Sequence, residues 1–107
     1  MKKKQNERVK IWNTTKEMNQ SELAKLIGVN RSSVCRRAPD MAKTQSGKIL
    51  IHEPASLSII SEIMDNYIDD LNYNDPNTDE YMIFYNTVAE EARAAFMAQY
   101  YCGGARR

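Results

Sequence analysis

The stretch from Asn19 to Pro39 leaves the chain few ways to fold. Asn19 and Glu22 stand three apart. At that spacing an asparagine caps the exposed N–H groups of a helix while the glutamate reaches back to the cap. Leu23, Ala24, Leu26 and Ile27 then supply the buried side of a short helix. Gly28, which tolerates positive φ, ends it, and Val29 plugs the turn. Asn30 is placed to cap a second short helix running to about Ala38, where Pro39 stops it. Two helices that meet steeply need a small residue where they touch and a turn residue without Cβ. Ala24 and Gly28 meet both needs, and Leu23, Ile27, Val29 and Val34 are the apolar contacts expected to clamp the pair.

The segment Gln20–Arg37 thereby resembles the helix-turn-helix of bacterial and phage regulators, either Cro/repressor-like or winged. The resemblance implies that the amino-terminal part of the second helix enters the major groove of double-stranded DNA. Arg37 departs from the pattern, standing where many members carry an apolar residue, and Ala38 is expected to take over that packing. With Val34 turned inward, the outward positions are Arg31, Ser32, Cys35 and Arg36, with Asn30 at the tip. Arginine pairs bidentately with guanine and asparagine with adenine, so Asn30, Arg31, Ser32 and Arg36 are the expected base readers. Cys35 is expected to be a small groove-facing spacer. Ser21, at the first turn of the preceding helix, is expected to bind a phosphate, with Lys25, Arg37, Lys43 and Lys48 as further backbone contacts.

Charge divides the chain in the same sense. Residues 1–50 carry twelve lysines or arginines against four acids, and residues 51–107 three arginines against ten acids, so a net charge of +1 hides two opposed halves. A basic half suits a polyanion, and an acidic half is repelled by the same duplex. The division expected is a basic DNA-binding head at 1–52 and an acidic helical hairpin at 53–107, with a head able to fold after removal of residues 55–107.

The remaining elements complete a mainly α chain. A first helix is expected over Asn6–Lys16, although Asn13, Thr14 and Thr15 are poor helix formers. Ser46-Gly47, between two short segments of which the second carries β-branched Ile49 and Ile51, reads as a small β-hairpin resembling a wing. Glu53-Pro54 opens a long helix with Leu57, Ile60, Met64, Tyr67, Ile68 and Leu71 along one stripe, which Ile59 and Ile63 widen. A turn at 72–77 leads to a last helix, capped by Thr78 or Asp79, that runs to about Tyr101 and ends at Gly103-Gly104. The stripe exceeds what one hairpin and a small head cover, so self-association through residues 55–101 is expected.

Other chemistries find little footing. His52 is the single histidine and reads as a surface or capping residue, and Asp65, Asp69 and Asp70 read as a solvated helix face. No phosphate loop or nucleophile motif is present, so neither an enzyme nor a cofactor or metal is expected. The hairpin is too small to enclose a small-molecule ligand. Cys35 and Cys102 match no metal-ligand spacing. With no apolar run of membrane length and no signal-peptide pattern, a cytoplasmic setting is expected, that of a bacterial host if the chain is phage-encoded. Three functions fit: a phage or mobile-element transcriptional regulator, the small subunit of a phage DNA-packaging terminase, or a recombination directionality factor. A dimer, a ring of eight to twelve subunits and a monomer would distinguish them in that order.

Overall fold

The computed structural model describes residues 6–71 and 76–104. The basic tail at 1–5 and most of the expected turn, 72–75, lie outside the described residues, as do the side chains of Tyr73, Tyr100, Tyr101 and Cys102. The described part is mainly helical, with one small antiparallel sheet: α1 (Glu7–Thr14), β1 (Glu17–Met18), α2 (Gln20–Ile27), α3 (Arg31–Arg37), a 3-10 turn (Ala38–Asp40), β2 (Ile49–Leu50), α4 (Pro54–Ile68) and α5 (Pro76–Gly104).

The Asn6 side chain starts α1 by accepting from the N–H groups of Arg8 and Val9. The helix stops at Thr14, two residues short of the expected Lys16, and Thr15 is already extended. The weak helix formers at 13–15 explain the difference. The chain then enters β1, which pattern alone did not reveal. Glu17 pairs with Leu50 and Met18 with Ile49. The tight turn expected at Ser46-Gly47 is present, with Gly47 at φ +92° and Thr44 N–H donating to Lys48 O at 2.8 Å. The ladder partner of β2, however, is β1, and Lys43 contributes one isolated bridge to Ile49. Ile51 lies past the strand, buried, with its N–H on Lys16 O.

Helix α2 carries the capping box in full, Asn19 Oδ1 accepting from Glu22 N–H at 2.7 Å and Glu22 Oε1 from Asn19 N–H at 3.2 Å. Gly28 ends it in the left-handed region, at φ 79° and ψ 24°. A Cβ there would meet the Tyr67 ring at 3.6 Å, an ordinary contact, so the strain of a substitution lies in the backbone. Gly28→Ala is therefore expected to destabilise the fold by about 1–2 kcal/mol. A urea midpoint identical to that of the wild type would contradict this assignment. Leu23, Ile27 and Val34 are fully buried, Ala24 nearly so, and Val29 packs against them. Ala38 is buried where the Arg37 departure required an apolar neighbour. Pro39 does not follow a helix end but sits inside the 3-10 turn, whose Ala38 carbonyl accepts from Met41 N–H.

Successive contacts along α5 meet earlier and earlier residues of α4: Tyr81 packs on Tyr67, and Tyr85 donates to Asp65 at 2.9 Å. The two helices are therefore antiparallel. They span 15 and 29 residues, α4 stopping at Ile68, short of Leu71, and α5 running past the expected Tyr101 to Gly104. Proline at 76 opens α5 in the first turn, where its missing N–H costs nothing, ahead of the expected Thr78 or Asp79 cap. Gly103 and Gly104 lie within the helix.

The charge boundary near residue 52 is not a packing boundary. Trp12, Leu23, Ile27, Val34 and Ile49 share one buried cluster with Leu57, Ile60, Met64, Tyr81, Phe84 and Val88. Ile59 and Ile63, read from sequence as surplus, are each only 8% exposed within the single chain. His52 also joins the halves. Its Nδ1 lies 2.5 Å from Glu91 Oε2, and its Nε2 lies 2.9 and 3.0 Å from the carbonyls of Trp12 and Thr15 at the end of α1. Trp12 Nε1–H donates to the other Glu91 oxygen at 2.8 Å. The histidine thus caps α1, as one of its two sequence readings had it, and is half-buried against α5.

Candidate nucleic-acid interface

Val34 is fully buried, which fixes the rotation of α3 about its axis. At 3.6 residues per turn, Ser32 and Arg36 then fall on the opposite side, while Arg31, in the first turn, lies about 60° from Val34. Arg31, Ser32 and Arg36 are all exposed, as is Asn30 just before the helix. Asn30 occupies the cap position with extended backbone, but its side chain makes no capping bond. This corrects the sequence expectation that Asn30 caps the helix through its side chain. Neither guanidinium on this edge, Arg31 or Arg36, bonds to any described residue.

The other cations behave differently. Arg8 donates to the carbonyls of Lys25 and Leu26, and Arg37 Nη2 pairs with Glu62 Oε1 at 2.9 Å. Lys43 Nζ donates to Ala38 O at 2.6 Å and Met41 O at 3.3 Å, tucking onto the 3-10 turn. Of the expected phosphate contacts, Arg37 and Lys43 are thus engaged within the chain. The remaining ones, Ser21, Lys25 and Lys48, are exposed. Ser21 lies with Asn19, Gln20, Arg31 and Gly47 around one shallow concavity, so the start of α2, the start of α3 and the turn before β2 border a common face. Lys25 and Lys48 border a neighbouring groove that also holds Glu7, Glu17 and Glu22, whose carboxylates offset part of their charge.

Comparison of the chain with protein-family models, curated proteins and solved structures finds no match. The site therefore rests on its own geometry.

Two features of it were not legible beforehand. Cys35, expected as a groove-facing spacer, is half-buried and donates from Sγ to Gln20 Oε1 at 2.7 Å, tying the middle of α3 to the first residue of α2. Gln20 itself lines the concavity beside Ser21, and its place directly after a capping asparagine was the only signal. Along the sequence the charge is also one-sided, although in the fold Glu62 pairs with Arg37 and three glutamates share the groove of Lys25 and Lys48. From Leu23 to Pro39, and again from Met41 to His52, the chain contains no acid, while these two runs hold Lys25, Arg31, Arg36, Arg37, Lys43 and Lys48. Among the described residues no group of His, Cys, Asp and Glu is disposed to hold a metal ion, and no helix is long and apolar enough to cross a membrane.

Proposed function

We propose that this chain is a sequence-specific double-stranded DNA-binding protein of the winged helix-turn-helix kind, a phage or mobile-element transcriptional regulator. The observation that carries the reading is the outer edge of α3, where Arg31 and Arg36 are exposed without any bond to a described residue. Ordinary surface arginines gain little from leaving a carboxylate partner. Two exposed, unengaged guanidinium groups, one in the first turn of α3 and one in its last, gain most from a polyanion. In this reading α3 lies in the major groove, with Asn30, Arg31, Ser32 and Arg36 toward base edges. Ser21 and the α2 amino terminus hold one phosphate. Lys25 and Lys48 contact the backbone from the one groove they share, and Arg37 and Lys43 reach it only by exchanging partners.

The acidic helices α4 and α5 would face away from the duplex. Self-association is proposed through the exposed apolar residues of α5, Ile83, Phe96 and Met97, instead of through the stripe of α4, which is buried at Leu57, Ile60 and Met64 and partly buried at Tyr67, Ile68 and Leu71. Mass measurement in solution is expected to give a dimer. A ring of eight to twelve subunits would transfer the reading to a DNA-packaging terminase component.

Duplex binding measured over a range of salt tests the proposal. Each phosphate neutralised contributes about 0.9 to the slope of log affinity on log salt, so three to five contacts should give a slope of roughly −3 to −5. Affinity that is absent at low salt, or indifferent to salt, would remove the reading.

A further inference from the structure

The last carbonyls of any helix lack partners within it. At the end of α2 they are taken by side chains from two distant elements. The Arg8 guanidinium of α1 donates to Lys25 O at 3.5 Å and also to Leu26 O. The Tyr81 hydroxyl of α5 donates to Ile27 O at 2.5 Å. Arg8 in turn stands over the Tyr81 ring, its Cζ 5.2 Å from the ring centre, and Tyr81 packs edge-on against Tyr67 of α4. The Tyr67 ring lies against Gly28, the next residue of the turn. Burial raises the pKa of the Tyr81 hydroxyl, so it stays a donor across the ordinary pH range. A cation at a helix carboxyl terminus is also favoured by the helix dipole. Three elements therefore converge on the last residues before the chain turns into α3.

We propose that Arg8 and Tyr81 are positioning residues for DNA reading. By fixing the carboxyl end of α2 they set the angle at which α3 leaves the turn, and so where Arg31 and Arg36 fall relative to base edges. The inference rests on the DNA-binding reading above. Tyr81 is buried and acts from within the protein, whereas Arg8 borders the groove that also holds Lys25 and Lys48. Loss of the Tyr81 hydroxyl should therefore blur sequence discrimination while leaving backbone attraction in place.

Tyr81→Phe keeps the ring packing and removes only the hydroxyl. Arg8→Met keeps much of the stem without the charge, and Arg8→Lys restores the charge. For each variant, the affinity for a duplex selected by the wild type and the affinity for a mixed-sequence duplex are measured well below its melting temperature. The expected result is a fall of about tenfold in the ratio of the two for Tyr81→Phe and Arg8→Met, the equivalent of one lost hydrogen bond. The mixed-sequence affinity should stay within about twofold for Tyr81→Phe, which leaves the protein's charge unaltered. Partial recovery is expected in Arg8→Lys. Wild-type ratios in both Tyr81→Phe and Arg8→Met would overturn the positioning role alone. A wild type that itself discriminates no sequence would overturn the DNA-reading proposal and this inference with it.

Discussion

Phe84→Ala is expected to cost the fold about 3–5 kcal/mol, the range for deleting a fully buried phenylalanine. Phe84 has no exposed surface. Its ring meets Trp12 of α1 edge-on at 6.0 Å and Tyr81 at 5.9 Å, so it pins α5 to the first helix of the chain. A domain of this size holds only about 5–15 kcal/mol in total, and the variant removes about a fifth or more of it. The melting temperature should fall by roughly 12 °C or more, followed by circular dichroism. The consequence reaches the α2–α3 pair, because Leu23, Ile27 and Val34 belong to the same buried cluster. For the same reason a fragment lacking residues 55–107 should not fold, contrary to the expectation drawn from charge alone. It would lose Leu57, Ile60, Met64, Phe84 and Val88 from the core and the Glu91 partner of His52 and Trp12. If that fragment melted cooperatively at the temperature of the full chain, the single shared core would be refuted.

Arg31→Ala and Arg36→Ala should behave in the opposite way, leaving stability intact and removing recognition. Each side chain is exposed and unbonded to the described residues, so neither variant should move the melting temperature appreciably. Each is expected to cost about 1–3 kcal/mol at a selected site, some five- to 150-fold in affinity. The loss should be base-specific, relaxing the preference at the position each arginine reads, because a bidentate pair discriminates by matching two acceptors at once. A neighbouring substitution such as Lys25→Ala should instead weaken all duplexes alike and reduce the salt slope by about one. The contrast between these two outcomes separates reading from positioning.

What was legible in the sequence was short-range. The Asn19–Glu22 box, the left-handed Gly28, the small Ala24 and the inward Val34 all act within a few residues, so their spacing carries the information. The turn at Ser46-Gly47 was readable for the same reason. Strand β1 was not, because two residues are too few to show an alternation and the partner, Ile49–Leu50, lies some thirty residues on. The engagement of individual cations was equally hidden. Arg37 and Glu62 are 25 positions apart, and His52 and Glu91 are 39 apart, and no local pattern announces such pairs. The same blindness made Ile59 and Ile63 look like surplus surface. Their cover comes from elements packed by tertiary contact, which a stripe on one helix does not reveal.

Selection of bound duplexes from a random pool, with the wild type and the Arg31→Ala/Arg36→Ala double variant run side by side, tests the α3 edge most directly. The wild type should enrich a defined site containing guanines at the positions facing Arg31 and Arg36, with two half-sites about 34 Å apart for a dimer. The double variant should enrich none while still melting like the wild type. Enrichment of the same site by both proteins, or of no site by the wild type, would contradict it.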